Sequence, residues 1–334
     1  MALYGSIFLK DLSRRAGLIL LLAATTCTVN AEWFGRTEGI MGTEISVQLW
    51  HDNAAFAEAS MDQVIAEMHR IDHLMSTYKD HSEISRVNAN AASMPVTVGE
   101  ELFELIERAL DLGTVTNGAF DITYASVGKH YDFRQGDMPT EDEKSAAIAA
   151  ISIEHVQLDP DLKTVRFTRD GVRIDLGGIA KGHAVESAVM LLRNRGIENA
   201  IVTAGGDSRV LGDHRGRPWA VGIRDPREKS GIAARMPVQE EAISTSGDYE
   251  RYFEADGVRY HHIIEPTSGD SARGVRSVTI IGPDAIMTDA LSTGVFVLGR
   301  QRGLELIDSL EEFEAIVIDQ HGEMHFSRGL EPDA

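Results

Sequence analysis

Cysteine is almost absent from this chain: Cys27 is the only one in 334 residues. It lies in an N-terminal segment that reads as removable. The remainder then has no thiol, which excludes disulfides, thiolate metal ligands and a cysteine nucleophile. Basic residues are scarce too, 32 Lys and Arg against 52 Asp and Glu, for a formal net charge of −20. A field of that sign repels polyanions and argues against nucleic acid as a partner. Any phosphate-bearing ligand must be held locally, by a metal ion, by helix N-termini or by particular basic side chains. The apolar run Gly17–Ala24 is too short to span a bilayer. Low-complexity stretches and repeats are missing as well. An apolar content of 43% is enough to bury the core of one large domain or two intimate ones.

Lys10, Arg14 and Arg15 precede the short apolar run, and Val29-Asn30-Ala31 fits the small-x-small rule for signal cleavage. Residues 1–31 are therefore expected to be an export signal and 32–334 the folded domain. Ser13-Arg14-Arg15 hints at the twin-arginine route. A lipid anchor on Cys27 competes, although Ala24-Thr25-Thr26 lacks the Leu and the small residue of that signal. The expected location is periplasmic, with inner-membrane association left open.

Ile45, Val47 and Leu49 alternate with polar residues and predict a half-buried strand. Apolar residues at helical spacing predict helices over about 54–75, around Leu102 to Leu110, over 179–195 and over 284–298. Strands are expected at Thr164–Thr168, Val172–Asp175, Asn199–Thr203, Trp219–Ile223, Ser277–Ile281 and Ala315–Asp319. Arg134 to Lys144, with Gly136, Pro139 and several acids, reads as a flexible link. Hairpin-like strand pairs mixed with helices indicate an α+β fold rather than a doubly wound sheet.

Asp175-Leu176-Gly177-Gly178-Ile179-Ala180-Lys181-Gly182 places paired glycines and a lysine at the start of an amphipathic helix. The unpaired N–H groups and positive dipole end of such a helix suit phosphate. The spacing matches neither a phosphate-loop nor a dinucleotide fingerprint, and a glycine turn that merely packs a helix on a sheet would look the same. Asp289 and Thr293, four apart at the head of another helix, share a face and can converge on one small ion. Oxygen donors without cysteine or paired histidines favour magnesium over zinc. The same pair could instead cap the helix.

These segments occur in company. Met41-Gly42-Thr43, Ser76-Thr77-Tyr78, Ser82-Glu83-Ile84-Ser85-Arg86-Val87-Asn88 and Gly118-Ala119-Phe120-Asp121 precede the glycine turn. Thr203-Ala204-Gly205-Gly206-Asp207, Ser244-Thr245-Ser246-Gly247-Asp248-Tyr249, His261-His262-Ile263-Ile264-Glu265-Pro266-Thr267-Ser268-Gly269 and Thr288-Asp289-Ala290-Leu291-Ser292-Thr293-Gly294 follow it. From about residue 40 to about residue 300 this order closely resembles the FAD:protein FMN transferase (ApbE) family.

The resemblance implies an α+β fold of mixed, largely antiparallel sheets with packed helices, related to the T-fold, with the flavin in a central cleft. It implies magnesium at Asp289, Thr293 and the carbonyl of Gly178, and FAD contacts at Met41, Tyr78, Ala119, Phe120, Asp121, Asp175, Lys181 and Ile263. Those residue types suit a flat ring, a polar ribityl chain and a charged pyrophosphate. The implied reaction moves FMN from FAD to a threonine of a target flavoprotein, a membrane-associated redox subunit, with AMP released. His262 is the candidate base, because an imidazole titrates near neutrality and the family carries a histidine there. His261 reads as an exposed strand residue and a bystander. Glu265, Glu186 and Asp132-Phe133-Arg134 depart from the family pattern and bear on target choice and the adenine end. Two other readings share the pocket: hydrolysis of FAD to FMN and AMP, and flavin binding without turnover.

Overall fold

The computed structural model describes residues 31–228 and 230–330. The expected export segment up to Asn30, including Cys27, lies outside the described residues. Eight strands form the main sheet, and their order across it is their order in the chain. They are Glu32–Ile40, Thr43–His51, Ala200–Ala204, Asp207–Leu211, Ala242–Gly247, Val275–Gly282, Glu314–Asp319 and Met324–Phe326. Every neighbouring pair is antiparallel. The α+β expectation holds.

Local chemistry explains the first hairpin. Met41 and Gly42 alone link the first two strands, with φ of 56° and 71°. Two left-handed residues in succession give the turn whose twist matches that of the strands it joins. Ile45, Val47 and Leu49 point to one face and are at most 1% exposed, whereas Glu44 and Gln48 on the other side are open to solvent. That face is covered by the helices Ala54–Met75, Ala180–Asn194 and Ala285–Ile307. Met61, Val64, Met68 and Ile71 supply the matching stripe of the first helix. Burying a side chain of this size contributes about 1.5–3 kcal/mol. The opposite face carries a smaller core of Val210, Trp219, Val238, Ile243 and Ile281, roofed by the hairpin of Trp219–Arg224 and Ile232–Val238.

The long excursion between the second and third strands holds the helices Glu83–Asn90, Glu100–Val115, Ala125–Gly128 and Glu141–Ile148 and a small sheet of Val96–Thr97, Thr164–Phe167 and Val156–Asp159. Two expectations are corrected here. Val172–Asp175 is not a strand. In place of a ladder, the Asn88 side-chain amide donates to Ile174 O and accepts from Ile174 N–H, both at 2.8 Å, and Arg173 N–H donates to Ser126 Oγ at 3.0 Å. Arg134–Lys144 is not simply a link, because Thr140 and Glu143 form a reciprocal capping box that starts the helix Glu141–Ile148. The helix expected over 284–298 is found: Gly299, at φ 76° and ψ 176°, breaks the helical backbone, and a second helical stretch continues to Ile307.

The helices Ala180–Asn194 and Ala285–Ile307 cross at Gly182. A Cβ built there would lie 2.1 Å from Ala285 O and 2.8 Å from the Asp289 Cβ. Only glycine permits that approach, and the approach brings the heads of the two helices together. Glu186 secures the same crossing. Its longer arm accepts from the Ala285 N–H and from Arg209 Nε, both at 3.0 Å. No helix among the described residues is long and apolar enough to cross a membrane.

Candidate functional site

The glycine turn is shaped by Asp175. Its Oδ1 accepts the Gly177 N–H at 2.7 Å and its Oδ2 accepts the Thr77 hydroxyl at 2.6 Å. The Tyr124 hydroxyl donates to Oδ1 from 3.3 Å. Burial and the nearby Asp175 charge raise Tyr124 well above an ordinary phenol, so it remains a donor. The helix that follows begins at Ile179 with no side-chain cap. Its Gly182 N–H instead reaches across to Asp289 Oδ2 at 2.9 Å.

Asp289 therefore stands where two helix heads meet. Lys181 Nζ lies 3.0 Å from Asp289 Oδ1 and 2.8 Å from Asp207 Oδ2. Both carboxylates are nearly inaccessible, at 2% and 1% exposure. Burial works against the Lys181 charge, but the two acids outweigh it and hold the ammonium protonated above its usual range. Burial and the Asp289 charge push Asp207 upward, against the pull of Lys181. Neither Asp207 oxygen has a well-directed hydrogen bond, so its contact with Lys181 is a charge contact.

Thr293 Oγ1 sits one helical turn on, 3.1 Å from Ser246 Oγ. A Cβ at Gly178 would meet Phe120 Cε2 at 3.1 Å and Thr293 Oγ1 at 3.3 Å. Gly178, Thr293 and Phe120 thus enclose a cradle that a side chain would fill. The donors around it are hard oxygens, the set that suits magnesium. Asp289, Thr293 and Gly178 fit such an ion, provided that Lys181 yields a carboxylate oxygen of Asp289.

The residues expected to touch flavin are placed unevenly. Phe120 is buried in the cradle wall and Ala119 is buried beside it. Met41 occupies the left-handed first position of the hairpin turn and is half-buried. Tyr78 stands out at 87% exposure, next to Thr77, whose hydroxyl donates to Asp175. Ile263 is buried at 5% exposure, its N–H donating to His261 Nδ1 at 3.3 Å. Asp121 is buried and turned inward. It accepts the N–H and hydroxyl of Thr123 at 2.7 and 2.5 Å, capping the short helix Ile122–Tyr124. Burial raises its pKa, with those bonds opposing.

His262 ends a two-stranded hairpin, Tyr252–Ala255 with Val258–His261, that is stiffened by stacking of Phe253 on Tyr260 and by Phe133 packed against Phe253. Its N–H donates to Arg251 O at 3.1 Å, so Arg251 and His262 face each other at the base of the hairpin. His262 Nδ1 is buried without a partner. Burial first, then the positive charge of Arg251, lowers the ring to about 3. Titration near neutrality is therefore corrected for the free protein: the imidazole is neutral and able to accept a proton well below pH 7. His261 is corrected as well. It is 2% exposed, bonded through Nε2 to Ala272 O at 2.9 Å, and lowered by burial to about 4. Its role is to hold the loop. Glu265 likewise serves its own turn, accepting the Ser268 hydroxyl at 2.8 Å.

Two further features lie outside this cluster. A cavity of about 610 Å³ opens between the roofing hairpin and the polar face of the sheet, lined by Ser46, Gln48, Thr203 and Tyr249 among others. Asp319, Glu323 and His325 gather on the last hairpin, where Asp319 is occupied by the N–H groups of His321 and Glu323 and by His325. Thr77, Tyr124, Asp207, Ser246 and Arg251 were not singled out by sequence. Most stand inside or next to the motif blocks, but only the fold shows what each one touches.

The sequence profile of the ApbE family matches residues 41–317. The FAD:protein FMN transferase of Vibrio cholerae is 32% identical over 299 residues, covering 87% of this chain and 88% of that protein. The protein of the same name from Treponema pallidum is 32% identical over 316 residues, with 89% and 87% covered. Among solved structures, the ApbE protein of Thermotoga maritima superposes with a TM-score of 0.83 at 32% identity, over 89% of this chain and 98% of that one. The flavin transferase ApbE of Vibrio cholerae superposes at 0.80 and 29%, over 91% and 100%. With a profile match across most of its length, relatives above 30% identity and the same fold, the chain belongs to the ApbE family.

Proposed function

We propose that this chain transfers FMN from FAD to a threonine hydroxyl of a target flavoprotein, with AMP leaving. The observation that carries the reading is the meeting of Asp289, Thr293 and Gly178 at two helix heads, with Lys181 beside them and a neutral His262 on a neighbouring hairpin. The relatives named FAD:protein FMN transferase support it. In the proposed step a threonine oxygen bonds to the phosphorus on the FMN side, and the bond from that phosphorus to the bridging oxygen breaks. The electron pair leaves with AMP.

Magnesium held by Asp289, Thr293 and Gly178 would draw charge off the phosphates. Everything else falls to the chain itself. His262 Nδ1, buried and unpartnered, accepts the hydroxyl proton. Asp175, tied to Thr77 and Tyr124, keeps the glycine turn open. Met41, Phe120 and Ile263 would offer apolar surface to the ring, and Tyr78, which is exposed, would close over it. The basic, short apolar N-terminal segment supports placing this activity outside the cytoplasmic membrane.

Purified chain lacking residues 1–31 is incubated with FAD and magnesium, with and without a threonine-bearing target. Expected are AMP and a target carrying FMN in equal amounts. AMP that appears equally without target would point to hydrolysis, and no AMP in either case would overturn the reading.

A further inference from the structure

The net charge of this protein is strongly negative, yet a pyrophosphate must enter its site. Lys181, the cation expected to meet it, is already flanked by two carboxylates at 2.8 and 3.0 Å. That trio is negative before any ligand arrives. Beside the proposed magnesium, a side-chain cation free of carboxylates would help to hold the phosphorus that reacts.

Arg251 meets the need. Several arginines of the same segments are committed to carboxylates: Arg224 to Glu250, Arg227 to Asp248, and Arg259 to Asp248 and Glu254. Among the described residues Arg251 has no carboxylate partner and its guanidinium makes no hydrogen bond, and it is exposed. It is nonetheless fixed in place, because its carbonyl accepts the His262 N–H across the hairpin base. Its Nη2 reaches the Met41–Gly42 turn, 3.4 Å from where a Gly42 Cβ would be. Its charge is felt at His262 and at Tyr124, the partner of Asp175. One unpaired guanidinium thus lies among the hairpin turn, the candidate base and the glycine turn.

We propose that Arg251 binds the FMN-side phosphate of FAD, the one attacked in the transfer, a proposal that rests on the transferase reading above. A guanidinium fork matches two phosphate oxygens and keeps them oriented. Its place directly opposite His262 puts it on the phosphate next to the base rather than on the adenosine side.

The test compares riboflavin, FMN and FAD by flavin fluorescence, with EDTA present, on the wild type, Arg251→Met and Arg251→Lys. Hydrogen bonds to charged groups are worth enough that Arg251→Met should weaken FMN and FAD by about 10- to 100-fold. Riboflavin should bind all three proteins within about 2-fold, and Arg251→Lys should recover part of the loss. Equal weakening of riboflavin and FMN would overturn the assignment, because Arg251 would then shape the ring pocket. Unchanged FMN affinity would overturn it too. A wild type that binds no FAD even when magnesium replaces EDTA would instead refute the transferase reading, and unchanged melting temperatures separate both outcomes from misfolding.

Discussion

Gly182→Ala sets two effects of opposite sign against each other. In a helix, alanine is favoured over glycine by about 0.8–1.0 kcal/mol, which would stabilise the helix Ala180–Asn194. Against that, the new Cβ would fall 2.1 Å from Ala285 O and 2.8 Å from the Asp289 Cβ. The first obstacle is backbone, so no rotamer change relieves it and the two helices must separate. Overpacking of this kind costs about 1–3 kcal/mol and occasionally more. Position sharpens the imbalance, because Gly182 lies in the first turn, where a better helix former gains least. The 2.9 Å bond from Gly182 N–H to Asp289 Oδ2 would also stretch as the helices part. A net loss of about 1–3 kcal/mol is expected in urea unfolding. Magnesium affinity, read by calorimetry, should weaken with it because Asp289 moves away from Gly178. Gly39→Ala is the control: nothing lies within 4 Å of its Cβ, and the change should stay within about 0.5 kcal/mol. A Gly182→Ala protein as stable as the wild type, with unchanged metal affinity, would refute the claim that this crossing aligns the site.

Three other outcomes are expected. Asp289→Ala should abolish AMP release from FAD with magnesium present and leave most riboflavin affinity, since the ring contacts lie on other elements; unchanged turnover would remove Asp289 from the metal set. His262→Ala should slow transfer by about 10²–10⁴-fold with little change in FAD affinity. Because the ring is held near 3 in the free protein, wild-type kcat/KM should not fall between pH 7.5 and 6 on its account, and a clear drop centred near 6.5 would contradict the burial argument. Stability should behave differently. His261 and His262 stay neutral in the native state down to about 4 and 3, whereas the unfolded chain takes up both protons near 6.5. Their contribution is complete above that value and is lost as pH falls through it, by about 2 kcal/mol per ring between pH 7 and pH 5. Chemical denaturation across that range checks it, and His261→Gln, which keeps a donor and an acceptor, should flatten the slope.

The sequence alone determined the elements whose burial is one-sided. The helices at 54–75 and 180–194 and the strand around Ile45–Leu49 each present one face to the core, and that asymmetry is written in their spacing. It also placed the local parts of the site: the turn at Gly177–Gly178, and Asp289 with Thr293 one helical turn apart. It failed where the signal was not periodic. Asp207–Leu211 is buried at all five positions, so no alternation marks it as a strand. Val172–Asp175 looked like a strand because apolar Val172 and Ile174 alternate with Arg173 and Asp175, but its partners include Asn88 and Ser126, side chains far away in the chain.

The tertiary structure decided how charges meet. Asp289 comes to the Lys181 ammonium because Gly182 lets two helix backbones touch, and Asp207 reaches it from a strand of the main sheet; the space a missing Cβ leaves cannot be read from local pattern. Arg251 and His262 face each other because a hairpin brings together residues eleven positions apart in the sequence. The low pKa of His262 follows from burial and from that same neighbour, and both are consequences of packing rather than of residue type.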